Sequence, residues 1–77
     1  MGERFPAVTA KEVLRVIQRL GFAKVRQSGS SHAIFRRESD GRRTVVPLHA
    51  GIVIKRKTLK AILRDCELTL EAFRKLL

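Results

Sequence analysis

Tryptophan and tyrosine are absent from this chain, cysteine occurs once, and only seven of the 77 residues are acidic. Each scarcity closes a class of function. A lone cysteine, Cys66, forms no intramolecular disulfide, which argues against a stapled secreted mini-domain. Two histidines, one thiol and scattered carboxylates show no recognisable metal-ligand spacing, so no metal or other cofactor is expected. No apolar run approaches the ~20 residues of a spanning helix. The opening residues, Met1-Gly2-Glu3-Arg4-Phe5-Pro6, do not lead into a signal-peptide core. A soluble, cytoplasmic protein without a membrane partner is therefore expected. Without Trp or Tyr, and with Phe22 and Phe35 candidates for the core, an aromatic platform for stacked bases is disfavoured. Length adds a further limit. One domain spanning residues 1–77 buries only about 60% of the surface its unfolded chain exposes. It leaves no room for a deep cavity beside a core, so any chemistry belongs on an open surface or in a shallow groove.

What the chain has in excess is positive charge. Seventeen Lys and Arg give a formal net charge of +10, an imbalance most easily tolerated against a polyanion. Between Gly21 and Lys57 stand Lys24, Arg26, Arg36, Arg37, Arg42, Arg43, Lys55, Arg56 and Lys57, opposed only by Glu38 and Asp40. Charge of this density points to nucleic acid, with RNA favoured, and says nothing about sequence preference. The plainer alternative is a solvated surface that keeps the protein soluble.

Periodicity predicts the frame. Residues 1–8 carry Pro6 and no pattern, and read as a flexible lead-in. Thr9 and Glu12 have capping-box spacing before an apolar stripe of Val13, Leu14, Val16, Ile17 and Leu20, with Gly21 as the stop. Residues 22–27 read as a strand in which Ala23 and Val25 alternate with Lys24 and Arg26. Ser28-Gly29-Ser30-Ser31 is a turn by composition. Residues 32–37 form a second strand, Glu38-Ser39-Asp40-Gly41 a hairpin turn, and residues 43–46 a third strand stopped by Pro47. Residues 48–57 are ambiguous, with Ile52, Val53 and Ile54 suggesting a buried loop or short extended piece. Thr58 is placed to cap a helix striped by Leu59, Ile62, Leu63 and Cys66, and Thr69 to cap a short final helix with Leu70 and Phe73. The expected fold is α+β: a three-stranded antiparallel sheet with helices on one face, in the order α-β-β-β-α with a short C-terminal helix.

Gly29-Ser30-Ser31-His32 is the most chemical stretch. RNA carries its own nucleophile, the 2′-hydroxyl, and needs only a positioned base or acid and cations near the phosphate. If Phe35 faces the core, the period of two puts His32, Ile34 and Arg36 on the opposite, open face. From composition alone, a turn histidine beside serines is more often a local hydrogen-bonder. His49, after Pro47 and Leu48, is a second candidate: a phosphate contact, a partner of His32, or a structural residue bonding loop backbone. Cys66 shares an apolar stripe and reads as a small core residue.

These residues together resemble the HicA toxins of toxin–antitoxin modules. The resemblance is carried by Leu20-Gly21-Phe22, Val25-Arg26-Gln27, Gly29-Ser30-Ser31-His32, Pro47-Leu48-His49 with Gly51, Thr58-Leu59 with Ile62-Leu63, and Leu68-Thr69 with Phe73. It covers roughly Thr9 to Phe73. It implies a fold similar to double-stranded-RNA-binding domains, mRNA cleavage with His32 as the single catalytic histidine, and inhibition by a HicB-type antitoxin, which charge complementarity with a +10 chain expects to be acidic. The chain departs from the family pattern in a second serine before the histidine and in Lys57 where a glycine commonly precedes Thr-Leu.

The leading expectation is a small metal-independent ribonuclease toxin. His32 is the catalytic residue, and Lys24, Arg26, Gly29, Ser30, Ser31, Arg36, Arg37, Arg43, His49, Lys55, Arg56 and Lys57 are the candidate RNA contacts. The competitors are a non-catalytic RNA-binding module and a DNA-binding or ribosome-associated accessory protein.

Overall fold

The computed structural model describes residues 5–28, 31–49 and 51–77. Helix α1 spans Ala10–Arg19, and strands β1, β2 and β3 span Phe22–Ser28, His32–Arg37 and Arg43–Pro47. Helices α2 and α3 span Arg56–Asp65 and Leu70–Leu76. The strands form one antiparallel sheet in the order β1-β2-β3. The α+β class and the expected element order are both present.

Local chemistry explains the element ends. The capping box closes α1: the Thr9 N–H donates to Glu12 Oε1 at 2.9 Å, and the Glu12 N–H donates to Thr9 Oγ1 at 3.5 Å. Gly21, at φ 95°, turns the chain out of the helix in a region that L side chains avoid. Gly41, at φ 72°, makes the Asp-Gly turn, where the Arg37 N–H and the Arg42 carbonyl close the loop at 2.9 Å. Thr69 caps α3 as expected, its hydroxyl accepting from the Ala72 N–H at 3.1 Å.

Helix α2 differs from the expectation. Its N-cap is Lys55, which makes no side-chain capping bond, so Thr58 lies inside the first turn. The cause is tertiary: the Ile54 N–H donates to the Val8 carbonyl at 2.8 Å, Val53 bridges to Thr9, and Ile54 is buried. The chain is thereby delivered into the helix three residues early. At the other end, Leu68 N–H bonds the Leu63 carbonyl and Glu67 N–H the Arg64 carbonyl, the paired bonds of a Schellman turn. Glu67 holds its left-handed position at φ 52°.

Helices α1 and α2 cover one face of the sheet, α2 mainly against β3 and α1 against β1 and β3. Between them lie Val13, Val16, Ile17, Phe22, Ala33, Phe35, Val46, Leu59, Ile62 and Phe73, all buried. Cys66 joins this core, and burial pushes its thiol up to about 11, with the Asp65 carboxylate adding to the shift. Two expectations need correction. Residues 5–8 are no loose lead-in, because Val8 is core at 2% exposed and Phe5 lies under the charged ends of Arg56 and Lys60; residues 1–4 lie outside the described residues. Of the three branched residues at 52–54, only Ile54 is buried.

Candidate functional site

Among the described residues, no helix lies on the opposite face of the sheet. Ala33 and Phe35 point into the core, so His32, Ile34 and Arg36 point out, as the period of two requires. Across the β2–β3 ladder His32 pairs with Pro47, Ile34 with Val45, and Arg36 with Arg43. On β1 the register slips by one residue between Lys24 and Arg26. Val25 is the extra residue of this bulge, and its effect is to bring Arg26 opposite Ile34. Without the slip, period two would have placed Arg26 with Lys24 on the core side. The bulge therefore separates two cations expected together and adds Arg26 to the face of His32.

Beside His32 the face deepens into a groove of about 420 Å³. Its walls are Val45 and Pro47 of β3, His49, Ile52, Val53, Ile54 and Lys55 of the following loop, and Thr58 of α2. The loop is held by one bond beside the start of β2 and one to the segment before α1. Leu48 N–H donates to the Ser31 carbonyl at 2.6 Å, and Ile54 N–H to the Val8 carbonyl. Both histidines thus line one groove, and among the described residues Lys55 is the charged member of its lining. Its apolar walls were not identified from sequence. Val45, Ile52 and Val53 are 45%, 60% and 50% exposed, and branched residues of this kind read as core until the loop path is known.

Ser31 shapes the catalytic candidate directly. Its hydroxyl lies 3.2 Å from His32 Nδ1, which leaves Nε2 as the ring nitrogen open to the exposed face. The serine next to the histidine in Ser30-Ser31-His32 is thereby both a positioning contact for the ring and the acceptor that holds the loop of His49. Gly29 and Ser30 lie outside the described residues.

The remaining cations divide sharply. Arg26, Arg36 and Arg43 lie on the open face, with Arg36 bound to Glu38 at 2.9 Å. Arg37 points the other way. It donates to Asp40 at 2.8 and 3.1 Å and to the Leu20 carbonyl at 3.2 Å, and lies over the Phe22 ring at 4.7 Å. That hydrogen bond from Arg37 holds the Asp40 carboxyl below the usual carboxylate range and raises Arg37 itself. Lys24 sits at the β1 edge opposite Phe35, 3.5 Å from Gln27 Oε1. Arg56 is drawn over Phe5 at 5.2 Å, and Lys57 is exposed in the first turn of α2. Arg42 ties β3 to α2 through the Asp65 carbonyl at 2.7 Å. Among the described residues, no three His, Cys, Asp or Glu side chains stand together as metal ligands. No described helix is long and apolar enough to cross a membrane.

The sequence matches the model of a family described as the HicA toxin of bacterial toxin–antitoxin systems, over residues 10–68. The chain belongs to the HicA toxin family. The match runs from α1 through the turn that follows α2, so it contains the whole groove and both histidines. As a HicA-family chain it is the toxin of a toxin–antitoxin module, with an antitoxin as partner. No curated protein matches the chain.

Proposed function

We propose that this toxin is a cytoplasmic endoribonuclease that cleaves mRNA at the groove beside His32. The observation that carries the reading is the setting of that ring: exposed on a helix-free sheet face, with Nδ1 against Ser31 and Nε2 open. Arg26 and Arg43 lie farther along the same face and Lys55 lines the groove. An imidazole takes or gives a proton near neutral pH, and guanidinium and ammonium groups stabilise charge gathering on a phosphate. RNA supplies the nucleophile, so His32 has only to act as base or acid for the 2′-hydroxyl. That chemistry needs no metal ion.

The test is cleavage of a long RNA by His32→Ala, with circular dichroism to establish folding. The ring is exposed, so the variant should fold, and it should lose cleavage and toxicity. Full activity in the folded variant would refute the assignment. RNA retained but never cleaved, by variant and parent alike, would make the protein a binding module.

A further inference from the structure

Cleavage by the 2′-hydroxyl requires two proton movements on opposite sides of phosphorus. One group takes the proton from O2′ as the O2′–P bond forms. Another delivers a proton to O5′ as the P–O5′ bond breaks. A single imidazole held on one side of the phosphate cannot do both at once, since each partner must lie within ~2.6–3.2 Å of its oxygen. The groove contains one other group of the same chemistry, His49.

Three observations place His49 in that role. It lines the same groove as His32, two residues beyond Pro47, the cross-strand partner of His32. Its loop is pinned beside His32 by the bond from Leu48 N–H to the Ser31 carbonyl. The ring itself is exposed and makes no hydrogen bond among the described residues, which leaves the loop-backbone role open to it from sequence without support. Among the described residues, no carboxylate lines the groove to serve instead. Among the described residues the charged group in the lining is Lys55; Arg26 on β1 and Arg43 on β3 lie farther along the face, as does Arg36 with its partner Glu38.

We propose that His49 is a second catalytic residue of this site, the general acid that protonates the departing 5′-oxygen while His32 accepts the proton of the 2′-hydroxyl. The inference rests on the ribonuclease function proposed above. The step balances: the O2′–P bond replaces the P–O5′ bond, giving a 2′,3′-cyclic phosphate and a free 5′-hydroxyl. His32 ends protonated and His49 neutral, and exchange with solvent restores both without water entering the bond-breaking step.

The experiment uses two oligoribonucleotides of one sequence, one with the normal 5′-oxygen at the cleaved bond and one with sulfur in that place. A thiolate leaves without being protonated. On the oxygen substrate His49→Ala should lose about 10²–10³-fold in kcat/KM and lose one limb of a bell-shaped pH profile. On the sulfur substrate it should return to near parental activity, while His32→Ala stays inactive on both. His49→Gln should behave like His49→Ala and guards against a folding artefact, with circular dichroism on each. Parental activity of the His49 variants on the oxygen substrate would overturn the proposal, as would an equal loss on both substrates, which would make His49 a phosphate contact. Sulfur rescue of Lys55→Ala in place of the His49 variants would assign the acid to Lys55 instead. An inactive parent protein would refute the ribonuclease function itself, an outcome distinct from these.

Discussion

Arg36 and Arg43 stand directly opposite each other on neighbouring strands, on the sheet face that no helix covers. Like charges so placed destabilise a strand pair by a few tenths of a kcal/mol to about 1 kcal/mol. Arg36 is partly neutralised by Glu38, whereas the Arg43 side chain makes no hydrogen bond or ion pair among the described residues. A phosphate at this pair would remove the repulsion.

RNA affinity should accordingly depend steeply on salt. Each neutralised phosphate contributes about −0.7 to the log–log slope for single strands. Replacing Arg26, Arg43 and Lys55 with Gln should flatten the slope by about 2. Arg37→Gln should leave the slope alone and lower the melting temperature, because that guanidinium serves Asp40, the Leu20 carbonyl and Phe22. Filter binding at several salt concentrations decides it. An unchanged slope in the triple variant would place the RNA on another surface.

Glu67→Gly should stabilise the protein. Glu67 occupies the left-handed position of the turn after α2, which costs a residue with a Cβ about 1 kcal/mol. The substitution also removes the ion pair with Arg42, but that pair is exposed and 3.5 Å long, and such pairs contribute little. A net gain of about 0.5–1 kcal/mol is expected from urea unfolding. A loss would mean that the Arg42 contact outweighs the backbone strain.

Cys66 should be inert in the folded protein. Its thiol is pushed up to about 11, so at pH 8 the thiolate fraction is about 100-fold or more below that of a free cysteine near 8.5. The raised value has a stability consequence of definite sign. The contribution of the protonated thiol is fully present below about 8.5 and is lost as pH rises through about 11. Iodoacetamide at pH 8 should label the unfolded chain rapidly and the native chain only through unfolding. Rapid native labelling would show that the α2–α3 turn opens far more often than its packing implies.

Much of the frame was legible because it rests on short-range chemistry. The Thr9–Glu12 box, the Gly21 stop, the Asp40-Gly41 turn and the Thr69 cap each involve groups within a few residues of one another. The outward aspect of His32, Ile34 and Arg36 followed from Phe35 and the pleat. The site was less legible because long-range contacts build it. The bulge at Val25 has no glycine to mark it, yet it decides which face receives Arg26. Thr58 has capping chemistry, but the Val8–Ile54 bond sets where α2 begins and turns that threonine into groove lining. Arg37 and Arg43 both belong to Arg-Arg steps, and only the ladder shows that one braces the hairpin and the other faces solvent.

The last expectation concerns the antitoxin. Val45, Ile52 and Val53 expose branched side chains around the groove, with Lys55 in its lining and Arg26 and Arg43 on the same face. An inhibitor can silence His32 by seating an apolar side chain in the groove and carboxylates along Arg26, Arg43 and Lys55. Matched charge would speed association, and the desolvated apolar centre would hold the complex. Such a contact should bury on the order of 1,200–2,000 Å² in total. Ile52→Asp and Val53→Asp should weaken binding of an acidic antitoxin by about 2 kcal/mol or more each, roughly 30-fold, while leaving the exposed loop folded. Hydrogen exchange should show added protection at residues 51–55 in the complex, and RNA cleavage should stop. A tight complex that still cleaves RNA, or that protects other segments and not this loop, would show that the antitoxin acts from elsewhere on the toxin.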